Sequence, residues 1–461
     1  MNIYIDVEIP SRELDGKLLL ATLAASKGHK VIVSNLSEIL LGLKKRILAP
    51  GIFHTTSLVP GTEKIFRHQV IIDNGSKITS MDEEGGLVDH GYDKFARIRY
   101  SNQTLEQSSA TFGWGPEDTD TLKRIYPTQS NKIHNTGSPR ADLWKSNFSE
   151  YWGIPQNVPD RPFLLVSSNT HSVSSIRPFY QNIKYLKRLG LFQGDTELFS
   201  NQFKIAAEDS LKTYKFIEAI KYLASNNNGF DVVLRPHPIE NIEAWKVFLG
   251  DIPNVYIIKK DSITPWVNNA FAVMPNNCTT AIEATVSNKP VVTYIPFKQK
   301  YGREIPNELG HRVESLEELS KTVNALFDDM KSDNQKNMDK KIPEIVSKKI
   351  NINEDELAAE KIIKVWESLD DKSLSKTIYW VKFYWLLKII DFRRLIGKFK
   401  RKLSPSRFGS YKENHKFPLL KKHDICERVK RLQHVLGIEE KIECKLLSDR
   451  TILVKKSTLG I

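Results

Sequence analysis

Residues 3–34 constrain the fold more than any other stretch of this chain. An apolar run at 3–7 is followed by a segment, 12–27, that carries Leu14, Leu18, Leu19, Thr22, Leu23 and Ala25 at helical spacing. The break Gly28-His29 then leads into a second apolar run at 30–34. Strand, helix and strand in this order predict a parallel sheet with helices on both faces. The pattern continues with strands predicted at 68–72, 77–81, 110–114 and 132–135, the last running into the turn Thr136-Gly137-Ser138-Pro139-Arg140.

Around residues 155–160 the composition shifts to proline and polar residues, as in a linker. A second α/β series follows, with strands predicted at 163–167, 230–235, 255–258, 272–274 and 290–294. Helices are predicted at 211–226, 279–287 and 316–326, the last capped by Ser315 with Glu317 and Glu318 behind it. The expected architecture is α/β, with two Rossmann-like doubly wound domains, 1–155 and 156–345, facing a central cleft. A lysine-rich stretch at 331–353, expected to be mobile or a surface helix, and a return helix at 354–367 follow, so 346–370 serves as linker and return helix, and 371–461 forms a basic amphipathic helical tail.

Charge locates that tail. The net charge is +13, and residues 372–422 hold fifteen Lys and Arg against Asp391 and Glu413, so this segment equals the whole excess. A neutral body with one basic end implies that a polyanionic surface meets the end and not the body. Within 376–402, aromatics and leucines interleave with lysine and arginine, and the uncharged runs fall far below the roughly 18 residues needed to span a bilayer. The expectation is a helix lying on an anionic membrane surface, the alternative being a basic helix packed on the protein body or on a partner subunit, with no nucleic-acid partner. Cys278, Cys426 and Cys444 are odd in number and lack C-x-x-C spacing, which argues against a disulfide framework or a zinc site. The first residues carry no basic segment followed by a long apolar one, so a secretory signal is not expected. The protein is expected in the cytoplasm, peripheral at the inner face of the membrane.

Three motifs carry the chemistry. Asp82-Glu83-Glu84-Gly85-Gly86 follows a strand, where ligands bind in open α/β sheets, and the glycines let the loop approach a substrate. Any of Asp82, Glu83 and Glu84 could serve as a general base, and adjacent like charges are expected to raise their pKa values. Arg235-Pro236-His237-Pro238 ends a second strand, presenting a guanidinium and a proline-clamped imidazole suited to a leaving phosphate. Asn276-Asn277-Cys278-Thr279-Thr280 opens a helix, where free N–H groups and the threonine hydroxyls suit an anion and Glu283 suits ribose hydroxyls.

The order of these motifs resembles that of bacterial sialyltransferases and polysialyltransferases, which share a D/E-D/E-G motif, an HP motif and a later Ser/Thr pair. The resemblance implies a GT-B fold and a CMP-activated sugar, with Glu83 as acceptor base, His237 on the CMP phosphate, and Thr279 and Thr280 in support. Over about residues 1–330, Ser11-Arg12-Glu13-Leu14-Asp15-Gly16-Lys17, Met81-Asp82-Glu83-Glu84-Gly85, Phe112-Gly113-Trp114-Gly115 and Thr136-Gly137-Ser138-Pro139-Arg140-Ala141-Asp142 look like the surface carbohydrate biosynthesis protein family. Ser138 stands where that family usually has asparagine, and Arg140 and Asp142 match it.

The activity implied is transfer of a CMP-linked ulosonic acid, sialic-acid-like or Kdo-like, to a hydroxyl of a glycan or lipid-linked glycan. Donor contacts are expected from Arg235, His237, Pro238, Asn277, Thr279, Thr280, Glu283, Ser138 and Arg140. The CMP-sugar is a co-substrate. No metal and no cofactor are expected, since no D-x-D cluster occupies the crevice positions. A nucleotide-diphospho donor of the CDP-glycerol or UDP-sugar type, a membrane-docked scaffold without catalysis, and a nucleotide-sugar 2-epimerase are the alternatives.

Overall fold

A computed structural model describes the chain except residues 90, 171–173, 177–178, 189–195, 261, 302–303, 333–341, 354, 372–376, 404–419 and 458–461, together with the side chains of 398–403. The chain divides into two compact units, Met1–Leu143 with Glu344–Ile461, and Trp144–Pro343. Strands run in chain order as β1 (Asn2–Asp6), β2 (Lys30–Ser34), β3 (Ile52–Thr55), β4 (Lys77–Met81), β5 (Ala110–Gly113), β6 (Ile133–Asn135) and β7 (Phe163–Ser167). They continue as β8 (Asp231–Arg235), β9 (Val255–Ile257), β10 (Ala272–Pro275), β11 (Val292–Tyr294), β12 (His311–Val313), β13 (Ile442–Ser448) and β14 (Thr451–Lys456).

The first unit is built on one sheet of order β13-β14-β2-β1-β3-β4-β5-β6. From β2 to β6 all neighbours are parallel. These strands are buried nearly throughout because both faces are covered, and they carry polar as well as apolar side chains. β1 lies between β2 and β3, so the strand order reverses beside it, and a doubly wound sheet opens its ligand crevice at that point, beyond the carboxyl ends. The second unit has the parallel order β10-β7-β8-β9, and a bridge between Val273 and Val291 leads on to the parallel pair β11-β12. Its reversal falls between β7 and β10. The α/β class, with two Rossmann-like units, is therefore as the periodicity indicates.

Three details depart from the sequence reading. Residues 68–72, read as a strand, lie inside the helix Thr62–Asp73, with only His68 and Ile71 buried. The neighbouring strand is β3, whose four residues are too few to produce a period. The first unit ends at Leu143 and not at the proline-rich 155–160 segment, because the helix Ser149–Trp152 packs on Thr264–Asn269 of the second unit. The lysine-rich stretch holds the helix Glu344–Lys349, in line with one of its two readings, while 333–341 lies outside the described residues.

The largest departure is the tail. Residues 371–461 are not an appendage: β14 pairs antiparallel with β2, β13 pairs with β14, and the helix Lys422–Val435 packs against Pro10–Ser26. The helix Trp380–Leu403 contributes Phe383, Leu386 and Leu387 to the same core as Tyr4, Ile32, Phe53 and Leu453. Glu38 pins these pieces together. Its buried carboxylate accepts from Ser34, Ser448 and Thr451 and pairs with Arg394 at 2.5 Å.

Candidate functional site

At the reversal point of the first unit, β1 delivers Asp6 and β4 delivers Asp82 and Glu83, all buried. The helix after β1, Pro10–Ser26, adds Glu13 and Lys17, both buried. Glu83 Oε1 lies 2.5 Å from Lys17 Nζ, and both side chains are buried. Arg12 bridges Glu84 at 3.0 Å and Glu13 at 2.8 Å, and the other Glu13 oxygen accepts from the Glu8 N–H at 2.9 Å. One ionic network thus ties the loop after β4 to the loop and helix after β1.

Each acid of the Asp82-Glu83-Glu84 run therefore has its own cation, which is a correction to the expectation of mutual repulsion. Asp82 takes a bidentate grip from Arg99, Nε at 2.7 Å and Nη2 at 2.9 Å, and caps the Glu84 N–H at 3.0 Å. Burial raises the Asp82 pKa, Arg99 opposes the rise, and the charge of Glu84 is the smallest influence on it. Asp82 is thereby a loop brace. Burial likewise raises Glu13, helped by the charge of Glu83 and opposed by Lys17 and Arg12. Asp6 is pushed up to about 7, chiefly by burial, with Lys64 pulling it down and Glu13 pushing it up. His54 on β3 is held neutral by burial and by Lys17. Its Nδ1 meets Thr79 at 3.1 Å, and its buried Nε2 has no hydrogen-bond partner among the described residues.

The glycines after these acids have a packing reason. A Cβ on Gly86 would come within 2.6 Å of the Trp114 ring, and one on Gly85 within 3.2 Å. The Trp114 indole N–H donates to the Asp82 carbonyl at 2.7 Å, so the loop is laid flat on that ring. The Thr136–Asp142 motif is likewise a joint. Ser138 Oγ caps the Arg140 N–H at 3.3 Å, Asp142 accepts from the Ala359 N–H at 3.1 Å, and a Cβ on Gly16 would meet the Arg140 backbone at 3.1 Å. The motif seats the returning helix Ala358–Leu369 and holds Pro10–Ser26, whose Lys17 faces Glu83.

In the second unit, Arg235 is buried, donates to the carbonyls of Lys260 and Ser262 (3.3 Å to the latter), and lies 5.1 Å over the Trp266 ring. Protein groups therefore engage the guanidinium expected to face a phosphate. His237 Nδ1 accepts from the Ile239 N–H at 3.4 Å, which puts the proton of the neutral ring on Nε2. Pro238 is exposed. Three residues past His237, the fully buried Glu240 organises the loop: it accepts from Ser168 Oγ, from the Thr170 N–H at 2.6 Å and from the Trp245 indole at 3.0 Å.

Between β7 and β10 the structure gathers polar groups of which sequence reading found only half. Ser167 ends β7, and Asn276 and Asn277 follow β10, Asn277 with φ of 48°. Ser167 Oγ, Asn276 Nδ2 and Asn277 Oδ1 are buried and find no hydrogen-bond partner among the described residues. Asn277 Nδ2 donates to Gln299, and the Asn277 carbonyl accepts from Asn169 at 3.0 Å. Thr280 Oγ1 lies 3.1 Å from Cys278 Sγ, and Glu283 is buried one turn on. Thr279 stands at the helix start without a side-chain cap. These three unpartnered polar atoms lie together at the reversal point, where open α/β sheets hold their ligands. Among the described residues no group of three or more His, Cys, Asp and Glu could hold a metal ion.

No protein-family model matches the sequence, and no curated protein matches it. Solved structures overlap it in part. A protein of Listeria monocytogenes assigned as a UDP-N-acetylglucosamine 2-epimerase is 13% identical, with 82% of this chain and 99% of that one covered at a TM-score of 0.49. The UDP-GlcNAc 2-epimerase of Methanocaldococcus jannaschii is 13% identical over 80% and 99%, at 0.48. A glycosyltransferase of Rickettsia africae is 13% identical over 82% and 99%, at 0.45.

Proposed function

We propose that this chain is a glycosyltransferase of bacterial surface-glycan assembly with a GT-B arrangement, taking a sugar from a nucleotide donor held at the carboxyl ends of β7 and β10. The observation that carries the donor side is the trio of buried, unpartnered polar atoms on Ser167, Asn276 and Asn277. They supply one hydroxyl, one amide donor and one amide acceptor, a set suited to ribose and base. His237, protonated on Nε2, would donate to the phosphate as it leaves. Glu83 would take the acceptor proton. Lys17 on Oε1 fixes the carboxylate in place. The bond from the anomeric carbon to the acceptor oxygen forms, the bond to phosphate breaks, and the nucleotide departs with the electron pair.

The donor we favour is a CMP-linked ulosonic acid, on the order of the acid-Gly, His-Pro and Thr-Thr motifs. Titration with CMP, CDP and UDP tests it: CMP is expected to bind, and at about a hundred times its dissociation constant to stabilise the fold by about 2.7 kcal/mol. Glu83→Gln should lower turnover by about 10²–10⁴ while CMP affinity stays. Binding of UDP or CDP alone would replace the donor, sugar conversion without acceptor would make the protein an epimerase, and full turnover by Glu83→Gln would end the base assignment.

A further inference from the structure

The helix Trp380–Leu403 is apolar on two opposite sides. Phe383, Leu386 and Leu387 are buried in the core of the first unit. The opposite stripe stays open: Val381 is 73% exposed, Trp385 64%, Phe392 62% and Leu395 58%, with Tyr384 and Ile389 about half so. These positions recur every three or four residues, so they form one continuous face. It is aromatic and aliphatic where an ordinary surface helix is polar. Lysines frame it. Lys382 lies 5.0 Å over the Tyr379 ring and Lys388 5.2 Å over Tyr384, and Arg393 is exposed beside Phe392. Asp391 on the helix and Glu38 beside it both pair with Arg394.

We propose that this face docks the protein on an anionic phospholipid surface, with the helix lying in the interface plane. Aromatic side chains flanked by lysines suit the boundary between headgroups and acyl chains, where the ring enters and the ammonium remains with phosphate. The charge decides between a bilayer and a second copy of the chain. A two-fold interface would bring Lys382, Lys388 and Arg393 of both copies into one shared contact region, and interface cores are depleted of charge. A bilayer carrying negative lipid neutralises them instead. Residues 372–422 carry an excess of positive charge equal to that of the whole protein, and this helix lies within that span of the sequence. Among the described residues no helix is long and apolar enough to cross the membrane, so the contact lies on its surface.

The full chain, sedimented with extruded vesicles, tests this without reference to activity. With phosphatidylcholine vesicles containing a third phosphatidylglycerol it should bind. With pure phosphatidylcholine, or in about 0.5 M salt, binding should fall roughly tenfold or more as the charges are screened. Trp385→Glu/Phe392→Glu should lose binding to a similar degree at an unchanged melting temperature, since both side chains face solvent, and Lys382→Glu/Lys388→Glu should lose the preference for anionic lipid. Undiminished vesicle binding by a folded Trp385→Glu/Phe392→Glu protein would overturn the proposal. So would absence of vesicle binding by a wild-type dimer that this double variant converts to monomer in light scattering, which would give the face to a second copy.

Discussion

At the scale of single residues, the protein's unusual feature is how many charges it buries. Glu83 and Lys17 form a closed pair, and removing one partner leaves the other uncompensated, so Lys17→Met should destabilise the fold by about 3–5 kcal/mol in urea unfolding. Asp6 behaves differently because burial pushes its pKa up to about 7. The folded state then holds a proton that the unfolded chain has released, so stability falls as pH rises from about 4 to 7 and levels off above. The ceiling on that loss is ~4 kcal/mol. Asp6→Asn should therefore match the wild type near pH 4.5 and be the more stable of the two at pH 8, which urea melts at the two pH values will read. These charges were hard to find from sequence. Lys17 and Glu13 sit in a helix that also carries Arg12 and Asp15, and a charge on such a helix does not say which partner it will meet. Arg99 and Asp82 are seventeen residues apart and meet only through the fold.

At the scale of elements, the strand ends mattered more than the motifs that announced them. The His-Pro loop holds its shape through Glu240, which satisfies donors from Ser168, Thr170 and Trp245. Glu240→Ala strands those buried donors, each worth about 1–3 kcal/mol, so it should lower the melting temperature and weaken nucleotide binding together. His237→Ala should weaken turnover with little effect on melting, and that contrast separates the brace from the chemistry. The Gly85-Gly86 pair was legible as a flexible hinge and is in fact flat packing on Trp114. Gly86→Ala should shift the loop and cost activity, measured as turnover at saturating donor. Most strands were legible because buried parallel strands are short, apolar and bounded by breaks. β3 and the helix Thr62–Asp73 were misread, since four residues show no period and that helix buries little of its surface.

At the scale of the whole molecule, the C-terminal region decides stability. Truncation after Leu369 would strip Phe383, Leu386, Leu387 and Leu453 from the core and leave the β2 edge unpaired, where large apolar losses cost about 2–5 kcal/mol each. Such a truncated protein is expected to be insoluble, whereas a free appendage could be removed without harm; soluble yield and melting temperature compare the two. Sequence alone determined the α/β class, the two sheets and the position of the acid-glycine and His-Pro loops, because local periodicity and backbone breaks are properties of neighbouring residues. It determined, too, where the positive charge lies. Only the tertiary structure decided which cation holds each acid, that Ser167 joins Asn276 and Asn277 at one strand reversal, and that the basic end is built into the first sheet. Those are contacts between residues tens to hundreds of positions apart, and pairing at that range depends on how the sheet is wound and not on any local pattern.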